Sequence, residues 1–130
     1  MVYLYDGWQV VEEREPDGQA WEARRQFITG ATYIDEPLIF DKDTDSEGDC
    51  VDAGGSSRFF YAQQANFNVV AVTASDGTVV ETVTYDPYGE ATVAVAGGQS
   101  ASGSPYLFQG RRWDDEADLY YFRNRSLSPR

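Results

Sequence analysis

The sequence predicts an all-β protein made of consecutive antiparallel β-hairpins, with little or no helix. Asp-Gly pairs recur along the chain, at positions 6–7, 17–18 and 76–77, and glycine in such a pair supplies the positive φ that a tight hairpin turn requires. β-branched and aromatic residues flank these turns, as is typical of strands. No segment repeats its apolar residues with the 3.6-residue period of an amphipathic helix.

Individual hairpins can be placed from these signals. Residues 2–5 and 8–12 are predicted strands on either side of the first Asp-Gly pair, and residues 66–73 and 78–85 flank the third. The segment 86–89 (DPYG) favours a type I turn that leads into a bulge, because proline suits its second position and glycine its fourth. A single helical turn is predicted at residues 114–118, with Asp114 as its cap.

The composition favours binding or architecture over catalysis. The 130 residues include 22 acidic and 10 basic side chains, for a formal net charge of −12, and such a field repels nucleic acids and anionic membranes. Histidine, the commonest acid–base catalyst and transition-metal ligand, is absent from the sequence. A single cysteine forms neither an internal disulfide nor a thiolate metal site. We therefore expect no enzymatic activity, no nucleic-acid partner and no insertion into a membrane.

We expect one domain spanning residues 1–130, because 42% hydrophobic residues provide a sizeable core for a chain of this length. Two segments interrupt the hairpin pattern: an acidic loop at residues 41–52 and a flexible loop rich in glycine and serine at residues 97–104. The first residues lack the basic start and apolar stretch of a signal peptide. Export would therefore use another route, or a signal carried by a larger parent protein.

The basic residues are unevenly distributed, since the last twenty positions hold five of the ten. The simpler interpretation is local ion pairing, in which Arg111 or Arg112 binds Asp114, Asp115 or Glu116. The alternative is that this charge asymmetry guides contact between copies of the chain.

The acidic loop is the candidate metal site. Its acids alternate along the chain, which directs several carboxylates inward from a tight loop, as calcium requires. The candidate ligands are Asp41, Asp43, Asp45, Glu47, Asp49 and Asp52. The match to an EF-hand loop is imperfect, because Ser46 stands where the glycine of the sharp turn belongs. A solvated acidic hairpin tip is the alternative.

Cys50 lies inside this loop, where neighbouring carboxylates raise the pKa of a thiol and lower its reactivity. We expect it to be a spectator, with an intermolecular disulfide as the alternative. Trp8, Trp21 and Trp113 also have two interpretations. They form a strip that binds carbohydrate, or they pack in the core, which is the simpler explanation.

Four segments carry a resemblance to a known family: residues 3–7 (YLYDG), 84–89 (TYDPYG), 108–114 (FQGRRWD) and 119–125 (LYYFRNR). They resemble the Rhs/YD-repeat proteins, and in particular the Rhs repeat-associated core region at the end of such repeat arrays. The resemblance covers nearly the whole chain. It implies β-hairpins of the kind that coil into a large shell in bacterial insecticidal-toxin complexes, Rhs polymorphic toxins and teneurins.

The resemblance also implies structural roles for the repeat motif, in which the tyrosine stacks beneath the sheet and the aspartate caps the hairpin turn. The residues that take these roles by resemblance are Tyr5, Asp6 and Gly7 in the first motif and Tyr85, Asp86 and Gly89 in the second. In the family the core region continues into a self-cleavage segment that releases a toxin, and these 130 residues do not include it.

Too few hairpins are present to close a shell, so open strand edges must be covered or must pair with other copies. We therefore expect a non-catalytic structural protein that self-associates through its strand edges into an oligomer or filament, outside the cell or at a cell surface, with Ca²⁺ fixing the acidic loop. The alternatives are a monomeric module that binds a glycan or a protein partner, and a remnant of an Rhs toxin shell.

Overall fold

The computed structural model describes residues 1–50, 56–95 and 102–130. Within these ranges the regular structure is almost entirely β, and the one helical element is a short 3₁₀ turn at Phe108–Gly110. The strands are β1 (Val2–Asp6), β2 (Gln9–Asp17), β3 (Ala20–Thr29), β4 (Pro37–Asp43), β5 (Ser56–Gln63), β6 (Val69–Ala74), β7 (Val79–Tyr85), β8 (Ala91–Val95), β9 (Arg112–Asp114), β10 (Leu119–Tyr121) and β11 (Ser126–Leu127). The predicted all-β chain of consecutive hairpins is confirmed.

The described strands form two sheets. Strands β1 to β8 make one eight-stranded sheet in which every strand pairs antiparallel with the next one along the chain, so β1 and β8 are its two edges. Strands β9 to β11 make a small three-stranded sheet with β10 in the centre. No helix in the described ranges has the length and apolar character needed to cross a membrane.

The first two hairpin turns lie one residue later than predicted. Asp6 still belongs to β1 and pairs with Gln9, so the two turn residues are Gly7 and Trp8. Gly7 has a φ of 59°, whereas Trp8 does not have a positive φ. Positive φ at only the first central position is the requirement of a type II′ turn, which matches strand twist as well as type I′ does. The second hairpin repeats this arrangement around Gly18, whose φ is 58°.

The two later turns share a different geometry. The Gly89 N–H donates to the Asp86 carbonyl at 3.2 Å, and the Gly77 N–H donates to the Ala74 carbonyl at 3.0 Å. Each glycine is the fourth residue of its turn and has a positive φ, which is 98° for Gly89 and 86° for Gly77. This is a type I turn that runs into a glycine bulge. It confirms the prediction for residues 86–89 and shows that the turn at residues 74–77 is of the same class.

A column of aromatic rings fills the inner face of the large sheet. Phe27, Phe40 and Phe59 lie in direct cross-strand register on β3, β4 and β5. Phe40 is fully buried, and its ring centroid is 4.9 Å from that of Phe59. Tyr106 covers the column from the C-terminal part of the chain, with its ring 5.3 Å from Phe27. The segment 102–130 therefore lies on the inner face of the sheet.

A second apolar cluster joins the small sheet to strand β7 and the turn that follows it. Tyr120 on β10 is 1% exposed and donates its hydroxyl hydrogen to the Gly89 carbonyl at 2.9 Å. Val83 and Leu107 complete its buried part. A Cβ added at Gly89 would lie 2.8 Å from the Phe108 ring, so both the positive φ and the close packing require glycine there.

The predicted helical turn at residues 114–118 is instead the tip of the β9–β10 hairpin. Residues 115–118 form a turn, and Asp114 still caps it, because its Oδ1 accepts the N–H groups of Glu116 and Ala117 at 3.0 Å each. Capping by aspartate suits a turn as well as a helix start. Pairing of Asp114 with Leu119 across the hairpin leaves no room for a helix.

Candidate functional site

A buried ion-pair cluster on the inner face ties the C-terminal segment to the sheet. Glu13 on β2 is completely buried, and its Oε2 accepts a hydrogen bond from Arg25 Nη1 on β3 at 3.0 Å. Its Oε1 lies 2.5 Å from Nη2 of Arg112 on β9. Two guanidinium groups therefore neutralise one buried carboxylate, which is the arrangement that makes its burial tolerable.

A second buried carboxylate repeats this arrangement between β3 and β4. Asp35 Oδ2 lies 2.8 Å from Arg111 Nη2, and Oδ1 accepts a hydrogen bond from Arg123. Burial raises the pKa of Asp35, against the opposing effect of the two arginines. Adjacent residues Arg111 and Arg112 thus reach two different carboxylates on the large sheet and its connections.

These contacts correct the prediction that Arg111 and Arg112 pair locally with Asp114, Asp115 or Glu116. In the described residues neither arginine binds those acids, whose side chains are exposed at the hairpin tip. The physical reason is that β9 lies against the inner face, where Glu13 and Asp35 are desolvated and need cationic partners.

An open cleft of about 950 Å³ separates the two edge strands of the large sheet. Alternate residues of β1, Tyr3 and Tyr5, line one wall, and Ala91 and Val93 of β8 line another. The floor comes from the C-terminal segment, and it consists mainly of Pro105, Leu107, Trp113, Tyr120 and Tyr121. Because β1 and β8 do not pair in the described residues, the curled sheet stays open along this cleft.

The residues of the repeat motifs have different environments in the two copies of the motif. Asp86 caps its turn, since its Oδ1 accepts the N–H groups of Tyr88 at 2.9 Å and Glu90 at 2.8 Å. Tyr85 packs against the second apolar cluster and donates its hydroxyl hydrogen to the Val69 carbonyl at 2.6 Å. In the second motif the aspartate therefore caps its turn, and the tyrosine is half-buried against the C-terminal segment.

In the first motif the same residue types lie at the open edge of the sheet. Tyr5 is 55% exposed and lines the cleft, so it is not covered beneath the sheet. Asp6 is the last residue of β1, and the positive φ of Gly7 makes the turn. The difference follows from position, because β8 lies beyond Tyr85 whereas no described strand lies beyond Tyr5.

The acidic segment begins as a strand, which corrects the predicted loop boundary at residue 41. Asp41 and Asp43 belong to β4, and the loop starts at Thr44. The Asp41 carboxylate accepts two hydrogen bonds from Arg58, both at 2.7 Å. The Asp43 carboxylate accepts one from Arg24 at 2.6 Å. Pairing with arginine reduces the negative charge that these two carboxylates offer to a cation.

Of the remaining predicted ligands, Asp45, Glu47 and Asp49 lie within the described residues. Asp45 and Glu47 are exposed, and the Asp45 Oδ1 accepts the Glu47 N–H at 3.2 Å. Asp49 is also exposed, and Asp52 lies outside the described residues. Within the described ranges no group of three or more acidic or cysteine side chains is placed to hold a metal ion.

Calcium binding stays a prediction of the sequence, and it can be tested by thermal unfolding. If Ca²⁺ fixes the loop, replacing millimolar Ca²⁺ with a chelator should lower the melting temperature by several degrees, because binding to the folded state stabilises it by mass action. Magnesium at the same concentration is the control for ionic strength. Equal melting temperatures in Ca²⁺ and in chelator would contradict the prediction.

Asp43 has a structural role that can be tested through its pH dependence. Burial raises the pKa of Asp43, but hydrogen bonds from the Ser46 N–H, the Arg24 guanidinium and the Gly48 N–H outweigh burial and hold the pKa below its ordinary value of 3.8. A lowered pKa in the folded state contributes stability that is complete well above pH 3.8 and is lost as the pH falls through the folded-state pKa.

We therefore expect Asp43→Asn to lower the free energy of unfolding at pH 7 by about 1.5–3 kcal/mol, the range for hydrogen bonds to charged groups. The variant should also lose less stability than the wild type between pH 5 and pH 2. Urea denaturation at each pH measures both effects. Asp115→Asn, at an exposed turn, is the matched control. If Asp43→Asn loses as much stability as the wild type between pH 5 and pH 2, the structural role of Asp43 is contradicted.

Cys50 and the tryptophans also have defined environments. Cys50 is a free thiol that is 2% exposed, and burial together with the carboxylate of Asp43 raises its pKa to about 11. This environment suits an unreactive spectator.

Trp113 packs on Tyr120, but Trp8 and Trp21 are 56% and 50% exposed, so the expectation that they pack in the core is wrong. They lie at or beside hairpin turns, where no described part of the chain buries them.

Sequence reasoning missed Glu13, Arg25 and Asp35, which belong to no motif. The partners of the two buried carboxylates are distant in sequence, so spacing along the chain carries no signal for them. The one usable signal was the Arg111-Arg112 pair within the 108–114 segment, where two adjacent cations, one just before β9 and one at its first residue, need carboxylate partners if they are buried.

Comparison with known proteins gives partial matches. No family model matches the chain. The chain is 32% identical over 73 residues to the tRNA(Glu)-specific nuclease WapA of Bacillus subtilis subsp. natto (strain BEST195), and 30% identical over 73 residues to the tRNA nuclease WapA of Bacillus subtilis (strain 168). The matched part is 56% of this chain but 3% of each relative. These matches are compatible with a relationship to the Rhs proteins.

Proposed function

We propose that this chain is a non-catalytic structural module of the Rhs/YD-repeat kind, which associates through the edges of its large sheet with further β-structure, including other copies of itself. The proposal rests on the exposure and the amino-acid composition of strands β1 and β8. Both are exposed edge strands, and neither contains a lysine, arginine or proline. Charges and proline on an edge are the usual protection against strand pairing.

The exposed apolar side chains support the same function. Val2, Tyr3, Leu4 and Tyr5 of β1 are each 40–55% exposed, and Val93 of β8 is 39% exposed. β8 has the sequence ATVAV, which combines high β propensity with no charge. Main-chain hydrogen bonds to an added strand would satisfy edge groups that otherwise face solvent.

The partial matches to WapA proteins support the β-repeat part of the proposal. We do not extend the nuclease activity of those proteins to this chain, because the match covers 3% of their length. A formal charge of −12 and the lack of histidine also argue against a tRNA substrate. A location outside the cell or at its surface belongs to the proposal by resemblance.

Light scattering on matched variants tests the proposal. The double variant Leu4→Lys/Val93→Lys places a charge on each edge strand, whereas Ile28→Lys/Val79→Lys places the same charges at exposed positions of interior strands. We expect a wild-type mass severalfold above the 14.5 kDa monomer, a monomeric edge variant and a control that behaves as the wild type.

Circular dichroism of both variants verifies that the fold is kept. A wild type that stays monomeric at high concentration would overturn self-association. Equal masses for the edge variant and the control would show that association uses a surface other than β1 and β8.

A further inference from the structure

The cleft between β1 and β8 is bordered by two strand edges that are unpaired within the described residues. Tyr3 and Tyr5 on one side and Ala91 and Val93 on the other lie at alternate positions of their strands, so each pair shares one face. Both edge strands have five residues, a length of about 17 Å at 3.3–3.4 Å per residue. The volume of about 950 Å³ between them is large enough for a short extended segment.

The floor of the cleft suits apolar side chains projecting from such a segment. Leu107, Trp113 and Tyr121 line it, and Tyr121 is 39% exposed. Strand addition takes affinity from main-chain hydrogen bonds and selectivity from pockets that receive alternate side chains. The two open edges offer the main-chain groups that give affinity, and the apolar floor offers the surface that selects side chains.

The charged side chains that line the cleft indicate which net charge a bound segment should carry. The arginines in its lining already have carboxylate partners, because Arg25 and Arg112 bind Glu13 and Arg130 lies 3.6 Å from Asp118. The lining carries four exposed carboxylates that form no ion pair within the described residues, Glu90, Asp114, Asp115 and Glu116, and Asp114 also caps its hairpin turn. The net charge of −12 adds attraction for cations over a longer range.

We infer that this cleft binds an extended, cationic polypeptide segment of a partner protein, which adds as a strand between β1 and β8 with apolar side chains facing the aromatic floor. The inference rests on the proposed function, because it names the chemistry of the strand that these edges accept. A second copy of the chain, itself acidic, is the less complementary occupant.

Fluorescence anisotropy with three labelled peptides tests the inference. The first is a nine-residue peptide in which arginine alternates with valine and tyrosine. The second replaces each arginine with glutamate. The third is the arginine peptide with N-methyl groups on alternate amides, which removes strand donors and keeps the charge. At low ionic strength we expect the arginine peptide to bind, and each of the other two to bind at least about tenfold more weakly.

Two triple variants separate a local effect from the overall charge. Glu90→Gln/Asp115→Asn/Glu116→Gln removes three of the four exposed charges of the lining and keeps the Asp114 cap, and Glu15→Gln/Asp17→Asn/Asp76→Asn makes the same charge change at exposed positions outside the cleft. We expect the first to weaken binding of the arginine peptide about tenfold and the second to change it less than about twofold.

Three results would overturn the inference: no binding of the arginine peptide, equal weakening by both triple variants, or full binding of the N-methylated peptide. These results are distinct from failure of the proposed function. A wild type that forms a large species but binds no peptide would overturn the cationic partner alone. A monomer that binds the peptide would overturn self-association and support the cleft.

Discussion

Glutamine in place of Glu13 should lower the free energy of unfolding by about 3–5 kcal/mol, the range measured when one partner of a buried ion pair is removed. Glu13 has no solvent exposure, and it is the common partner of Arg25 and Arg112. The substitution keeps the shape of the side chain but leaves two guanidinium groups without a counter-charge on the inner face. Urea denaturation followed by circular dichroism measures the loss.

Two control variants sharpen this prediction. Asp118→Asn removes a carboxylate whose side chain is 59% exposed and which lies 3.6 Å from Arg130, so it should change stability by less than about 0.5 kcal/mol. Arg112→Met leaves Glu13 its bond to Arg25 and should cost less than Glu13→Gln. A loss below about 1 kcal/mol for Glu13→Gln would show that the cluster does not hold the C-terminal segment on the sheet.

Alanine in place of Phe40 is the second change for which we expect a large effect, again about 3–5 kcal/mol of stability. Phe40 is 0% exposed and lies at the centre of the aromatic column, with Phe59 at 4.9 Å and Tyr61 at 5.3 Å between ring centroids. Removing its ring leaves a cavity in the middle of the sheet, where neighbours from three strands cannot collapse fully.

Phe60→Ala is the matched control for this variant. Phe60 follows Phe59 on β5, so its side chain is on the opposite face, where it is 37% exposed. Its removal should cost much less, about 1 kcal/mol or below. Equal losses for Phe40→Ala and Phe60→Ala, measured by urea denaturation, would contradict the placement of the core on the inner face.

Local rules account for the turns. An aspartate that bonds its own backbone and a glycine with positive φ determine a hairpin within four residues, as at Asp86 and Gly89. Such a signal needs no information from the rest of the chain, so the sequence predicts it well. The one-residue shift at Gly7 arose because a type II′ turn needs glycine at its first position, whereas the prediction assumed type I′.

Long-range contacts account for what sequence reasoning missed. Glu13 lies on the inner face, although a charge in a strand is ordinarily expected to face solvent. Its burial depends on Arg112, which reaches it only after the C-terminal segment has packed on the sheet. In the same way Asp41 was predicted to bind calcium, and the cross-strand pairing of β4 with β5 places Arg58 directly opposite it.

The sequence by itself determined the all-β class, the hairpins at the Asp-Gly pairs and at residues 86–89, and the acidic character, because each depends on residue type and on neighbours a few positions away. The tertiary structure alone decided which face of each strand became the core, which charges were buried together, and that β1 and β8 border one cleft. Those features depend on how the sheet curls around the segment 102–130, and on the desolvation of groups such as Glu13 and Asp35. Desolvation is a property of the assembled layers and cannot be assigned to any single stretch of the chain.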